Sequence, residues 1–85
     1  MKARELQRTA FEFRIARAVY CALELGVFRA LGRGEASAET LADTCRADAR
    51  GMRILLDALA ATEVLERSPR GYRIPDSLAR CLLEG

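Results

Sequence analysis

Arginine is the side chain in this sequence with the most obvious chemistry to offer. It carries nearly all of the positive charge, with Lys2 as the only lysine. Guanidinium forks suit phosphates and carboxylates alike. Arg46, Arg67, Arg70 and Arg73, with Arg50 and Arg53 between them, could together form a phosphate footprint of the kind nucleic-acid binders use. Four acids, Asp48, Asp57, Glu63 and Glu66, interrupt the same span, and the net charge of the chain is only +2. A balance that small does not by itself argue for nucleic acid.

Other chemistries find fewer parts. There is no histidine, and Cys21, Cys45 and Cys81 are far apart with no C-x-x-C pair, so no metal-ligand set can be assembled. The cysteines fall in helical segments among apolar neighbours and read as small buried or half-buried residues. The carboxylates Asp43, Asp48, Asp57, Glu63, Glu66 and Asp76 fall mostly at helix caps or on outward helical faces, where a solvated role outweighs acid–base work. Gly32-Arg33-Gly34 has the outline of a phosphate loop but follows a helix and lacks the third glycine; it reads as a turn. No catalytic, cofactor-binding or metal-binding residue is assigned, and catalysis by this chain alone is not expected.

The elements that position these residues can be read in order. The 85 residues suffice for one domain with one modest core, and the composition is that of an ordinary globular chain. Apolar runs are too short for a membrane span, and Met1-Lys-Ala-Arg-Glu-Leu6 lacks the apolar stretch of a secretory signal. A cytoplasmic address is expected. A first helix spans about Ala3 to Leu25 and stops at Gly26; a short one covers Val27 to Leu31. Ser37 and Asp48 are N-caps for two further helices, the second ending near Thr62 and carrying Met52, Leu55, Leu56 and Leu59 as its core stripe. Gly51, near its start, leaves room for a neighbour to approach. Val64–Arg67 and Tyr72–Ile74 are expected strands about the turn Ser68-Pro69-Arg70-Gly71, and Asp76 or Ser77 caps a last helix. The fold class is therefore mainly α, a winged helix-turn-helix of about five helices and a small two-stranded wing. Its parts are a dimerisation helix over 1–25, the helix-turn-helix over 37–62 and the wing over 64–74. The chain stops at Leu83-Glu84-Gly85 without a distinctive terminal element, as expected of a domain attached to something longer.

Two features bear on function. The first helix carries two apolar stripes, which at about 100° per residue fall on nearly opposite sides. One comprises Leu6, Phe13, Ala16, Tyr20 and Leu23, the other Phe11, Ile15, Ala18, Val19, Ala22 and Leu25. A small domain needs one stripe, so the other is expected to meet another chain or domain; Phe11, Ile15, Ala18, Val19 and Ala22 are taken as that interface. The second feature is the outward face of the would-be recognition helix, where Ile54, Asp57 and Ala61 follow Arg50, with Arg53 and Ala58 at the flanks. A DNA reader needs polar or basic side chains there. A winged-helix transcriptional regulator, contacting DNA through Arg50, Arg53, Arg67 and Arg70, is the alternative reading, and nucleic acid is not the expected partner.

The wording of the chain also resembles a known family. Ala22-Leu-Glu-Leu-Gly-Val-Phe-Arg-Ala-Leu31 is similar to a segment of the N-terminal dimerisation domain of class I S-adenosylmethionine-dependent O-methyltransferases, of the plant caffeate type and the bacterial polyketide-tailoring type. Ser37-Ala-Glu-Thr-Leu-Ala42, Asp48-Ala-Arg-Gly-Met-Arg-Ile-Leu-Leu-Asp-Ala-Leu59 and Tyr72-Arg-Ile74 resemble its later segments, so that the likeness covers about Phe11 to Leu83. The resemblance implies a homodimerisation module that also helps to shape the partner's substrate pocket. It further implies that S-adenosylmethionine and the catalytic residues belong to a Rossmann-type domain absent from this chain.

Overall fold

The computed structural model describes residues 2–84. Helix α1 runs from Ala3 to Leu25 and α2 from Val27 to Leu31, separated by a single residue, Gly26. At φ 81° Gly26 occupies the left-handed region that glycine enters without steric cost, and its amide caps the Ala22 and Leu23 carbonyls. After the Gly32–Gly34 turn come strand β1 (Glu35–Ala36), α3 (Ala38–Cys45), α4 (Ala49–Ala61), β2 (Glu66–Ser68), β3 (Gly71–Arg73) and α5 (Asp76–Glu84).

The local signals behave as their chemistry dictates. The Ser37 hydroxyl accepts the Thr40 amide at 3.2 Å and the Asp48 carboxylate accepts the Gly51 amide at 2.8 Å, so that each of α3 and α4 has one orphan donor satisfied by its N-cap. The turn between them is closed by Arg46, at φ 55° in the left-handed region, with the Ala47 amide reaching back to the Ala42 carbonyl at 2.8 Å. Gly51 is not a site of close approach: a Cβ there would meet only its own cap, Asp48, at an ordinary 3.5 Å.

The sheet departs from expectation in two ways. It has three antiparallel strands in the order β1-β3-β2, with Ala36 opposite Tyr72 on one edge and Arg67 opposite Tyr72 on the other. The added strand, two residues long, satisfies the outer edge of β3 that a two-stranded wing leaves bare. The wing also starts later, at Glu66. Glu63 turns left-handed at φ 65°, and the amides of Val64 and Leu65 both donate to the Leu59 carbonyl, at 2.9 and 3.1 Å. Those two residues thus finish α4 instead of opening the strand.

The core lies where α2, α3, α4 and the sheet converge. Phe28, Leu41, Met52, Leu56, Leu59 and Leu65 are its large, fully buried members, and Tyr72, Ile74 and Ala79 close it from the wing and α5. Leu55, expected with the α4 core stripe, is half-buried at its margin. Cys45 is half-buried, with its thiol pKa raised by burial. Cys21 and Cys81 are exposed, contrary to the buried or half-buried role expected of them, because their helices α1 and α5 turn other faces to the core.

Candidate interaction surface

Among the described residues, helix α1 carries six of the seven large apolar side chains left exposed. Its 23 residues lie against the rest of the domain chiefly through its second half, and among the described residues Ala22 is the one fully buried position along it. Ala18 and Val19 are half-buried and pack on the same core. The stripe expected to face another chain therefore faces this domain's own core at Ala22, and Ala18 and Val19 are half-covered by it. The reason is geometric: the reversal at Gly26 turns α2 back against α1, and α4 packs on the same helix, so this stripe is the one the domain's own elements cover.

The opposite stripe is the open one. Leu6, Phe13, Tyr20 and Leu23 are exposed, Phe13 to 64% and Tyr20 to 62%. Leu25 is exposed at the end of the helix, and Phe11 is 55% exposed on the side nearer α4. Two aromatic side chains and several leucines left in water on one helix exceed what scattered surface apolar residues account for, and contiguous apolar patches of this kind mark interaction sites.

Phe11 and Ile15 occupy a boundary position. With Ala18 they form one wall of a groove of about 230 Å³ whose other wall is Ala58, Ala61 and Thr62 of α4. Of the expected interface residues, Phe11 and Ile15 are thus brought together beside α4, separate from Ala22. A second groove, of about 430 Å³, lies at the far end of α1 between Leu23, Phe28, Leu82 and Leu83.

The arginines that could have served nucleic acid are mostly engaged within the protein. Arg53 pairs with Glu39 across α3 and α4, Arg67 with Asp57 at 3.1 Å, and Arg70 with Glu35 at 3.8 Å. Arg73 bridges Glu66 and Asp76, the latter at 2.9 Å. Among the described residues Arg50 is the one of the four expected DNA contacts without an ion pair. Asp57 is not simply an outward-facing carboxylate. It accepts hydrogen bonds from the Tyr72 hydroxyl and the Arg67 guanidinium, which hold its pKa below the usual carboxylate range. Ile54 beside it is 63% exposed. The helix that would enter a DNA groove thus presents an isoleucine and a carboxylate already committed to the wing.

No cofactor cradle is formed at Gly32-Arg33-Gly34. The Gly32 amide donates to the Phe28 carbonyl at 2.9 Å and the Gly34 amide to the Leu31 carbonyl at 3.0 Å, so both cap α2. An adenine-nucleotide-type ligand needs such amides free and a strand leading into them; these residues do not fit it.

A family model described as the O-methyltransferase dimerisation domain matches residues 7–85. The N,N-dimethyltransferase OxyT of Streptomyces rimosus is 34% identical over 84 residues, covering 99% of this chain and 24% of that protein. Among solved structures, PigF with SAH superposes with a TM-score of 0.85 at 28% identity, over 98% of this chain and 25% of that one. Human N-acetylserotonin methyltransferase in complex with SAM gives a TM-score of 0.77 at 28% identity, over 93% of this chain and 26% of that one. The chain spans about a quarter of the length of each of these proteins.

Proposed function

Because the chain belongs to the O-methyltransferase dimerisation-domain family, we propose that it is the homodimerisation module of a small-molecule methyltransferase, a winged helix used as a scaffold. A Rossmann-type catalytic domain elsewhere in the enzyme holds S-adenosylmethionine and the catalytic residues, and this module pairs two such subunits and helps to shape the substrate pocket of its twin. Its address is cytoplasmic.

The observation that carries this reading is the exposed stripe Leu6, Phe13, Tyr20 and Leu23 on a helix whose other face already serves the domain's own core. Apolar surface of that size is stabilised by removal from water, and nothing among the described residues covers it. The Phe11–Ile15 groove against α4 extends the same surface around the helix. Interfaces of this kind draw most of their affinity from a few buried aromatic anchors, and Phe13 and Tyr20 are placed to serve.

Sedimentation equilibrium of the chain tests it. The wild type sediments as a dimer and the variant carrying Phe13→Glu with Tyr20→Glu as a folded monomer. A wild type that stays monomeric at high micromolar concentration contradicts the reading.

A further inference from the structure

We infer that α1 pairs with α1 of a second copy as an antiparallel seam, with Phe13 facing Ala16 of the copy, Tyr20 facing Thr9 and Leu6 facing Leu23. The inference rests on the dimer reading and specifies its geometry. Leu6, Thr9, Phe13, Ala16, Tyr20 and Leu23 succeed one another at alternating steps of three and four residues. That is the a/d spacing by which two helices keep one seam in mutual contact. All six positions lie on the side of α1 turned away from the core, and all are exposed.

Side-chain size then selects direction and register. The first, third and fifth positions are Leu6, Phe13 and Tyr20; the second and fourth are Thr9 and Ala16. In a parallel pair like meets like, so Phe13 and Tyr20 crowd their own copies while Ala16 and Thr9 leave voids, and close packing tolerates neither. In an antiparallel pair centred between Arg14 and Ile15 each aromatic meets a small residue, and all six positions find a partner. Sliding by one heptad in either direction strands Leu23 or Leu6. The Thr9 hydroxyl does not disturb an apolar layer, because it is spent on the Glu5 carbonyl of its own helix at 2.9 Å.

Two further features agree. The antiparallel arrangement carries the first turn of the copy's α1 past Leu23, onto the rim of the groove that Leu23 shares with Phe28, Leu82 and Leu83. With aromatic side chains worth about 150–250 Å² each, the stripe also supplies a large part of the roughly 800 Å² per partner that stable interfaces use.

Disulfide trapping decides the matter. In a background with Cys21→Ser, Cys45→Ala and Cys81→Ser, the double variant Thr9→Cys with Tyr20→Cys is oxidised and run on non-reducing gels. The two positions are eleven residues apart on one helix, about 16 Å, too far for a bond within a chain. The double variant is expected to trap as a covalent dimer and each single variant to remain untrapped. Trapping of the single variants indicates a parallel pair and overturns the seam. If nothing is trapped while sedimentation still finds a dimer, the seam is wrong and the dimer reading stands; if sedimentation finds a monomer, both fail. A second test needs no cysteine: Phe13→Ala weakens dimerisation at least about tenfold, and adding Ala16→Phe, which exchanges the sizes within the same layer, restores it. Absence of rescue overturns the pairing.

Discussion

The Tyr72 hydroxyl, on the middle strand of the sheet, donates a hydrogen bond to the Asp57 carboxylate on α4. Arg67 of β2 lies over the Tyr72 ring, 5.5 Å from its centroid, and bonds to the same carboxylate at 3.1 Å. Three side chains thereby lock the wing onto the helix that in a DNA reader would have to stay clear. Tyr72→Phe keeps the buried ring and removes the bond, and is expected to cost about 1 kcal/mol in urea unfolding. A variant as stable as the wild type would show the latch to be idle.

The same latch sets two edges in pH. Hydrogen bonding from Tyr72 first, and then from Arg67, lowers the Asp57 pKa in the fold. The stability it contributes is present above the unfolded carboxylate pKa and is lost as pH falls through the lower folded value, below about pH 4. Burial first, and then the bond to Asp57, raises the Tyr72 pKa. For this acid the stabilisation holds below the unfolded pKa and is lost as pH rises through the folded one, above about pH 10. Melting temperature plotted against pH falls at both ends, and Asp57→Asn flattens the acid side. An unchanged acid limb in that variant would assign the loss to other carboxylates.

Gly71 tolerates no side chain. At φ 141° it passes over the start of α3, where a Cβ would lie 2.7 Å from the Ser37 Cα and closer still to the Ala36 carbonyl. Gly71→Ala is expected to lose about 1–3 kcal/mol from backbone strain alone and more from the collision, with the β1–β3 pairing weakened first. Hydrogen exchange at β1 and β3 reads the loss directly, and native protection there in the variant would refute the collision.

Two phenylalanines separate folding from assembly. Phe28 is buried among α2, α3 and the core leucines, whereas Phe13 is exposed on α1. Phe28→Ala is expected to cost about 3–5 kcal/mol. Phe13→Ala should leave the unfolding free energy of the monomer within about 0.5 kcal/mol and act on association alone. Comparable destabilisation of the monomer by both would mean that Phe13 belongs to the core.

Duplex DNA is not expected to bind. With Arg53, Arg67 and Arg70 paired to carboxylates, few counterions remain to be released from phosphate. Anisotropy titrations against mixed-sequence duplex at low salt should stay flat. Saturable binding that weakens with salt and disappears on Arg50→Ala with Arg70→Ala would restore the DNA reading.

Much of the fold was legible because its punctuation is local. Gly26, Ser37 and Asp48 act on amides or carbonyls within one turn of themselves, and the core stripe of Met52, Leu56 and Leu59 is a matter of spacing along one helix. What escaped depends on chain segments distant in sequence. Two-residue strand β1 has no pattern of its own and exists because β3 offers it an edge. Gly71 has a natural place in the turn, yet what makes glycine necessary is the Ala36–Ser37 backbone running beneath it. Asp57 has the spacing of an exposed residue and gains its partners only when the wing folds back. The two stripes of α1 were plain in the sequence; which one the core takes is set by the reversal at Gly26, and that choice made Ala22 an internal contact.

From Ala3 to Arg14 every residue of α1 is exposed, so within one copy the first three turns of this helix have little tertiary support beyond the edge of the α4 groove at Phe11 and Arg14. Helical segments of that length are marginal in water by themselves. On the proposed pairing, association buries this half of α1 and so stabilises its helix, which makes protein concentration a lever on secondary structure.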